Sequence, residues 1–182
     1  LDRLERADRA AELDALLGVV HGDLEVALRE AHEEIGLDPA HVELVDFGGA
    51  KTLVSTRYDR GRGSDGVWLR LHQEDLLQAM NYPPSKKYQS DGGPSVKNVA
   101  ALFATLALAD RDVVRSSFFD ALAFNVLVGG TDAHAKNYSL LLHGRSVRLA
   151  PLYDIASALP YDEYHEPKVK LAMKVGTHYR VG

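Results

Sequence analysis

Apolar residues at the start of the chain recur with helical spacing. Leu4, Ala7, Ala11, Leu13, Leu16 and Leu17 alternate with charges, which predicts an amphipathic helix from Leu4 to Leu17 ended by Gly18. A second helix is expected from Leu24 to Ile35, with Asp23 as N-cap and Gly36 just past its end. The period then changes. Val42 to Phe47 and Lys51 to Tyr58 have strand composition around Gly48-Gly49, so a hairpin is expected, and Val67 to Leu71 reads as another strand. Gln73 to Met80 predicts a short helix, with Pro83-Pro84 in the loop beyond it. Ser95 is placed to cap a helix reaching about Ala109, with Val99, Leu102, Phe103 and Leu106 on one apolar face. A helix from Asp112 to Val128 follows; it reads as buried on most sides, and Gly129-Gly130 is a natural stop. Tyr138 to Leu142 and Val147 to Leu149 flank His143-Gly144-Arg145-Ser146 as two short strands about a turn. Val169 to Val175 is a further strand or extended edge. Helices and antiparallel hairpins in this order predict an α+β domain.

Chemistry is concentrated between the helix stop and the second hairpin. Thr131-Asp132-Ala133-His134-Ala135-Lys136-Asn137 sets an acid, an imidazole, a cation and an amide in one short loop. In phosphoryl-transfer sites of the protein-kinase type, a loop aspartate accepts the acceptor hydroxyl's proton and an asparagine five positions later holds magnesium. A second aspartate beyond a short hairpin completes the metal site. Asp132 and Asn137 have that offset, and Asp154 follows the expected hairpin. Carboxylate and amide oxygens suit a hard cation, while the base must stay unligated beside the incoming hydroxyl. The His-Arg-Asp and Asp-Phe-Gly wordings are absent: Gly130-Thr131 precedes Asp132, and Tyr153-Asp154-Ile155 stands at the second motif. Each residue also has a plainer explanation. Asp132 fits a turn or an N-cap, His134 a loop imidazole bonded to a nearby carbonyl, and Lys136 a solvated cation. Gly61-Arg62-Gly63-Ser64-Asp65-Gly66 spells a nucleotide-loop pattern, but a strand rather than a helix follows it, so it reads as a flexible turn.

Asn125 to Asn137, together with Arg148-Leu149-Ala150-Pro151-Leu152-Tyr153-Asp154, resembles the core of the HipA-like serine/threonine kinases, the toxin halves of bacterial toxin–antitoxin pairs. Arg57-Tyr58-Asp59-Arg60, Leu71-His72-Gln73-Glu74-Asp75, Lys87-Tyr88 with Gly92-Gly93-Pro94, and Leu171-Ala172-Met173-Lys174 are also similar to that family's pattern. The resemblance implies a protein-kinase-like fold, mainly the helical C-lobe with a partial, β-containing N-lobe: residues 1–58 would be the remnant of the N-lobe and hinge, and 59–182 the C-terminal lobe. It implies an ATP-dependent kinase with Asp132 as base, Lys136 neutralising the transferring phosphoryl group, and Mg²⁺ on Asn137 and Asp154. Thr56 and Tyr58 would meet the adenine, Tyr153 would line the nucleotide site, and His134 would lie near the phosphates. Tyr58 reads equally as a core aromatic beside a surface turn. Glu25 or Glu30 would fill the part of the helix glutamate that orients a nucleotide lysine, although a solvated helical face explains both. No glycine-rich loop precedes a strand lysine, and the family has a whole lobe before this region and helices after it, so the resemblance implies a fragment. It further implies an antitoxin partner of the HipB-like DNA-binding type and a translation-related protein substrate such as an aminoacyl-tRNA synthetase.

Composition adds bounds. The 182 residues with 46% hydrophobic content suffice for one domain, which at this size buries about 70% of its unfolded surface. A net charge of −5 argues against a broad electrostatic nucleic-acid surface. Without cysteine there is no disulfide framework or thiolate site. No apolar run is long enough to span a membrane and no leader pattern opens the chain, so a cytoplasmic protein is expected. Two other functions fit the same residues. One is a metal-dependent phosphohydrolase using Asp132, His134, His143 and Asp154 with water as nucleophile; the other is a non-catalytic interaction module derived from a kinase.

Overall fold

A computed structural model describes residues 39–159 and 170–180. The two helices expected between Leu4 and Ile35, with Glu25 and Glu30, lie outside the described residues.

Hairpins form where glycine supplies the backbone that a turn needs. β1 (Val42–Asp46) pairs antiparallel with β2 (Lys51–Ser55), from Val42 opposite Ser55 to Asp46 opposite Lys51. Between them Gly48 and Gly49 take φ of 67° and 95°, and the Gly49 N–H donates to Asp46 Oδ1 at 2.6 Å. β3 (Arg60–Arg62) and β4 (Trp68–Arg70) form the next hairpin. Its connection runs from Gly63 to Val67: the Gly63 N–H donates to the Val67 carbonyl at 2.9 Å and the Val67 N–H to Asp65 Oδ1 at 3.0 Å. Of the Gly61–Gly66 stretch expected as a turn, Gly63–Gly66 turns and leads into a strand, while Gly61 and Arg62 pair with Leu69 and Trp68 as part of β3.

Three antiparallel strands form the sheet beneath the polar loop: β5 (His72–Asp75), β6 (Ser139–His143) and β7 (Ser146–Leu149), in that order. β5 corrects the helix expected from Gln73. Only Leu76–Ala79 is helical (α1), and Asp75 caps it through the Gln78 N–H while the Gln78 side chain returns a bond to the Asp75 N–H. Residues 72–75 instead align with Ser139–Leu142. A partner strand more than sixty residues away in sequence outweighs a weak local helical period.

The helix expected from Ser95 to about Ala109 is also shorter. α2 runs Val96–Ala104, started by a Ser95–Asn98 capping box, and stops where the Thr105 hydroxyl and N–H both donate to the Leu102 carbonyl. α3 then begins at Leu108 rather than Asp112 and continues to Leu127. Its first turn is fixed by Asp110, whose carboxylate accepts from the Val147 N–H at 2.9 Å, from Ser146 Oγ at 3.3 Å and from Arg148. The Val147 N–H, then Arg148, hold this carboxyl below its ordinary value. α3 was expected to be buried on most sides, but burial is confined to the face of Val114, Phe118, Ala121, Phe124 and Asn125, while Val113, Phe119 and Leu127 are exposed.

That face meets α1, α2 and β6 in one core. Phe118 packs edge-on against Phe103 at 5.4 Å and Tyr138 at 5.1 Å between ring centroids. Met173 joins the core from β8 (Lys170–Val175), which pairs irregularly with β9 (His178–Arg180). Among the described residues no helix is long and apolar enough to cross a membrane.

Candidate active site

The site begins at the end of α3. Gly129, at φ 63°, donates its N–H to Val126, and the Gly130 N–H donates to the Asn125 carbonyl at 2.7 Å, the bonding pattern of a Schellman stop. The two glycines serve different needs. Gly129 supplies the left-handed turn, whereas a Cβ on Gly130 would collide with the Asn125 side chain. Asn125 is itself buried and donates to the Ala121 carbonyl and to the Tyr138 hydroxyl at 3.1 Å.

The chain leaves this stop through short backbone bonds, His134 N–H to the Asp132 carbonyl at 2.7 Å and Asn137 N–H to the His134 carbonyl at 2.9 Å. A 3-10 turn at Ala135–Asn137 buries Ala135 in the core. This path leaves Asp132 exposed and sinks His134 and Asn137 into the protein. β6 and β7 then bring the chain back to Tyr153 and Asp154. The Tyr153 hydroxyl donates to the Lys136 carbonyl at 2.7 Å and lies 2.6 Å from Ser139 Oγ, and burial pushes its ionisation up to about 12. Tyr153 therefore ties the second acidic motif to the polar loop.

Asp154 takes φ 56°, a left-handed conformation that is uncommon outside glycine and costs a non-glycine residue roughly 1–2 kcal/mol. Asn137 Nδ2 donates to Asp154 Oδ2 at 3.0 Å and to the Asp154 carbonyl at 3.2 Å. Asn137 Oδ1 is buried without a hydrogen-bond partner among the described residues. A carboxylate and an amide on adjoining residues suit a hard cation such as Mg²⁺; the amide nitrogen now faces Asp154, and turning the amide over would bring Oδ1 to the same side.

Asp132 Oδ1 accepts a 2.5 Å hydrogen bond from the Tyr88 hydroxyl. The Tyr88 ring meets His134 edge-on at 5.2 Å, and Lys87 Nζ lies 4.7 Å from the Tyr88 ring centroid. Burial first, and then the Lys87 charge, hold His134 below its ordinary value, so its imidazole is neutral at pH 7; its Nδ1 is buried without a hydrogen-bond partner among the described residues. The Lys87 ammonium is stabilised first by the Tyr88 side chain, and its charge is further favoured by Asp132 and Asp154. Lys136 is half-buried, and no hydrogen bond or ion pair to another described residue holds its ammonium.

A cavity of about 330 Å³ lies beside this cluster, bordered by Thr56, Tyr58, Gln73, Asp75, Ser139 and Tyr153. Tyr58 stacks on Tyr153 with centroids 6.3 Å apart. The Thr56 N–H donates to the His41 carbonyl at 2.9 Å, leaving its carbonyl as the main-chain group to offer. The cavity wall is stiffened by Asp59, whose buried carboxylate takes a two-pronged bond from Arg57 at 2.7 and 2.8 Å and another from Arg60 at 2.5 Å. The candidate residues thus fall into two neighbouring sets. Thr56, Tyr58 and Tyr153 line the cavity, while Asp132, His134, Asn137 and Asp154 lie on the polar side, joined to it through Tyr153. Asp132, His134, His143 and Asp154 form no metal-holding group, and among the described residues there is no cluster of three or more His, Asp or Glu side chains that does; His143 is exposed at the far end of β6.

Lys87 and Tyr88 were not among the residues given a role from the sequence. Tyr88 is 44 residues from Asp132, and no local spacing connects them. The available signal was their place in a stretch similar to the kinase pattern.

The family model of the HipA-like C-terminal domain matches residues 8–181. The chain belongs to this family. The kinase-designated protein Y4mE of Sinorhizobium fredii is 43% identical over 143 residues, 78% of this chain and 33% of that protein. The serine/threonine-protein kinase toxin HipA of Shewanella oneidensis is 31% identical over 156 residues, 80% of this chain and 35% of the relative. The HipA-like chain thus spans about a third of the length of the curated relatives it matches. Among solved structures, the Shewanella oneidensis complex of HipA, HipB and operator DNA superposes with a TM-score of 0.73 at 27% identity, covering 85% of this chain and 38% of the matched chain. The Helicobacter pylori proinflammatory kinase CtkA matches at a TM-score of 0.52 and 16% identity over 71% of this chain and 42% of its own, a likeness of fold alone. The HipA-like domain is therefore a mixed helix-and-sheet, kinase-like fold in a family whose named relatives carry kinase designations.

Proposed function

We propose that this domain is the catalytic part of an ATP-dependent serine/threonine protein kinase, with residues 39–58 as the tail of the smaller lobe and hinge and the chain from residue 59 onward as the larger lobe. One observation carries the reading: the Asn137 amide is held against Asp154, its oxygen buried and unpaired among the described residues, in the loop that also presents Asp132.

Asp132 is the base. It takes the proton of the acceptor hydroxyl as that oxygen forms its bond to the γ-phosphorus and the bond to the β-phosphate oxygen breaks, releasing ADP. Asn137 and Asp154 hold Mg²⁺, which when bound neutralises charge on the phosphate oxygens. Lys136, whose ammonium has no partner among the described residues, faces the transferring phosphoryl group, and the neutral His134 donates a hydrogen bond to the phosphates. The adenine enters the cavity at Tyr58, Tyr153 and the Thr56 carbonyl.

The likeness to the Shewanella HipA assembly supports a HipB-like antitoxin as partner and a toxin role for the whole protein. A protein of the translation machinery, such as an aminoacyl-tRNA synthetase, is the proposed acceptor. Transfer of labelled phosphate from ATP tests the assignment: Asp132→Asn should lower the rate about 10²- to 10⁴-fold. A near-normal rate removes Asp132 from the role of base.

A further inference from the structure

The Tyr88–Asp132 bond has no part in the roles above. It joins the side chain that would take the acceptor's proton to a residue 44 positions away, at 2.5 Å. A carboxylate on an exposed loop turns broadly about its last bond, so a fixed partner on one oxygen decides the direction in which the other points. We infer that Tyr88 is a positioning residue: its hydroxyl fixes Asp132 Oδ1, so that Oδ2 is the oxygen offered to the acceptor. This rests on the kinase reading and adds to it the group that orients its base.

Three features make Tyr88 a rigid support rather than a movable plug. The loop that carries it closes tightly: the Gly93 and Asp91 N–H groups both donate to the Tyr88 carbonyl, at 2.9 and 3.1 Å, and a Cβ on Gly93 would collide with the carbonyls of Lys86 and Tyr88. The next residue, Gln89, accepts the Lys174 N–H of β8 at 2.8 Å, which anchors the loop to a strand that is part of the core. The ring is set against the edge of the buried His134 and lies under Lys87. Asp132 Oδ2 has no hydrogen-bond partner among the described residues, as an oxygen reserved for the acceptor requires. A base held in this way is more effective than one free to turn, because misplacement of reacting groups by about 1 Å can cost of order 10²-fold in rate.

Tyr88→Phe removes the hydroxyl and keeps the ring against His134 and Lys87. The test measures kcat and KM for ATP in the parent, Tyr88→Phe, Asp132→Asn and the double variant, after matched thermal melts show that all are folded. Tyr88→Phe should lower kcat by about tenfold with KM for ATP unchanged, and should cost nothing further once Asp132 is Asn, since both changes act through one group. An unchanged or raised kcat in Tyr88→Phe overturns the inference, the raised value marking Tyr88 as an obstruction to the acceptor. Equal losses from Tyr88→Phe with and without Asp132 overturn it as well. A parent that transfers no phosphate from ATP is a separate failure, of the kinase reading itself and of this inference with it.

Discussion

Asn137 and Asp154 touch through side chain and main chain at once, the amide nitrogen reaching Asp154 Oδ2 at 3.0 Å and the Asp154 carbonyl at 3.2 Å. Asn137 Oδ1 is buried with no hydrogen-bond partner among the described residues and would reach the Asp154 side once the amide turns over, while the double contact fixes the amide plane. That contact also helps hold Asp154 in its left-handed conformation. Asn137→Ala should weaken Mg²⁺ binding about 10- to 100-fold, by analogy with the loss of groups that hold a metal ligand in place. Titration calorimetry with Mg²⁺ and a non-hydrolysable ATP analogue measures this; equal affinity in parent and variant would separate Asn137 from the metal.

Gly130 is confined by the Asn125 side chain. Gly130→Ala should therefore cost about 1–3 kcal/mol, the usual penalty for forcing a methyl into packed space. The strain falls on the stop that aims the polar loop, so phosphotransfer should fall with stability. Gly144→Ala is the control: at φ 61° with open space about it, an alanine there is strained by its backbone without touching the polar loop, and it should lower the melting temperature while sparing activity. Thermal melts and rates on both variants distinguish the two effects.

The Asp59 carboxylate is held below its ordinary value, first by the Arg57 hydrogen bond and, to a lesser extent, by the Arg57 and Arg60 charges, against the opposing effect of burial. The unfolded chain therefore binds more protons than the native protein as pH falls toward and below the ordinary carboxylate value of 3.8. Stability from Asp59 is complete above that value and is lost as pH drops through the lower native one. Asp59→Asn should destabilise the protein at pH 7 by about 1–3 kcal/mol, as expected when hydrogen bonds to a charged group are lost. The difference from the parent should shrink in acid. Urea melts at pH 7 and near pH 3 check this, and a gap independent of pH would assign the loss to packing rather than charge.

Features set by neighbouring residues were legible in the sequence. The Gly129-Gly130 stop, the β6–β7 hairpin and the β1–β2 hairpin arise from local conformational preference, and each formed close to its expected bounds. Errors came where distant contacts decide. His72 to Asp75 became a strand because β6 lies beside it, and α3 begins early where Asp110 reaches the backbone of β7. The polar loop announced its own residue types, and the Asn137–Asp154 offset was readable because a hairpin of ordinary length separates them. Tyr88 could not be found that way: its partner is on another loop, and contacts distant in sequence, among them the Lys174 N–H bond to Gln89 and the Tyr88 ring against His134, hold the two loops together.

The kinase assignment is tested most directly by a crystal structure of the protein with Mg²⁺ and a non-hydrolysable ATP analogue. It requires adenine against Tyr58 and Tyr153, and a metal about 2.0–2.1 Å from Asn137 Oδ1 and from an Asp154 oxygen, with Asp132 unligated. A metal bound instead through His134 or His143 would contradict it in favour of hydrolytic chemistry, and a site that takes up neither nucleotide nor metal would contradict catalysis altogether.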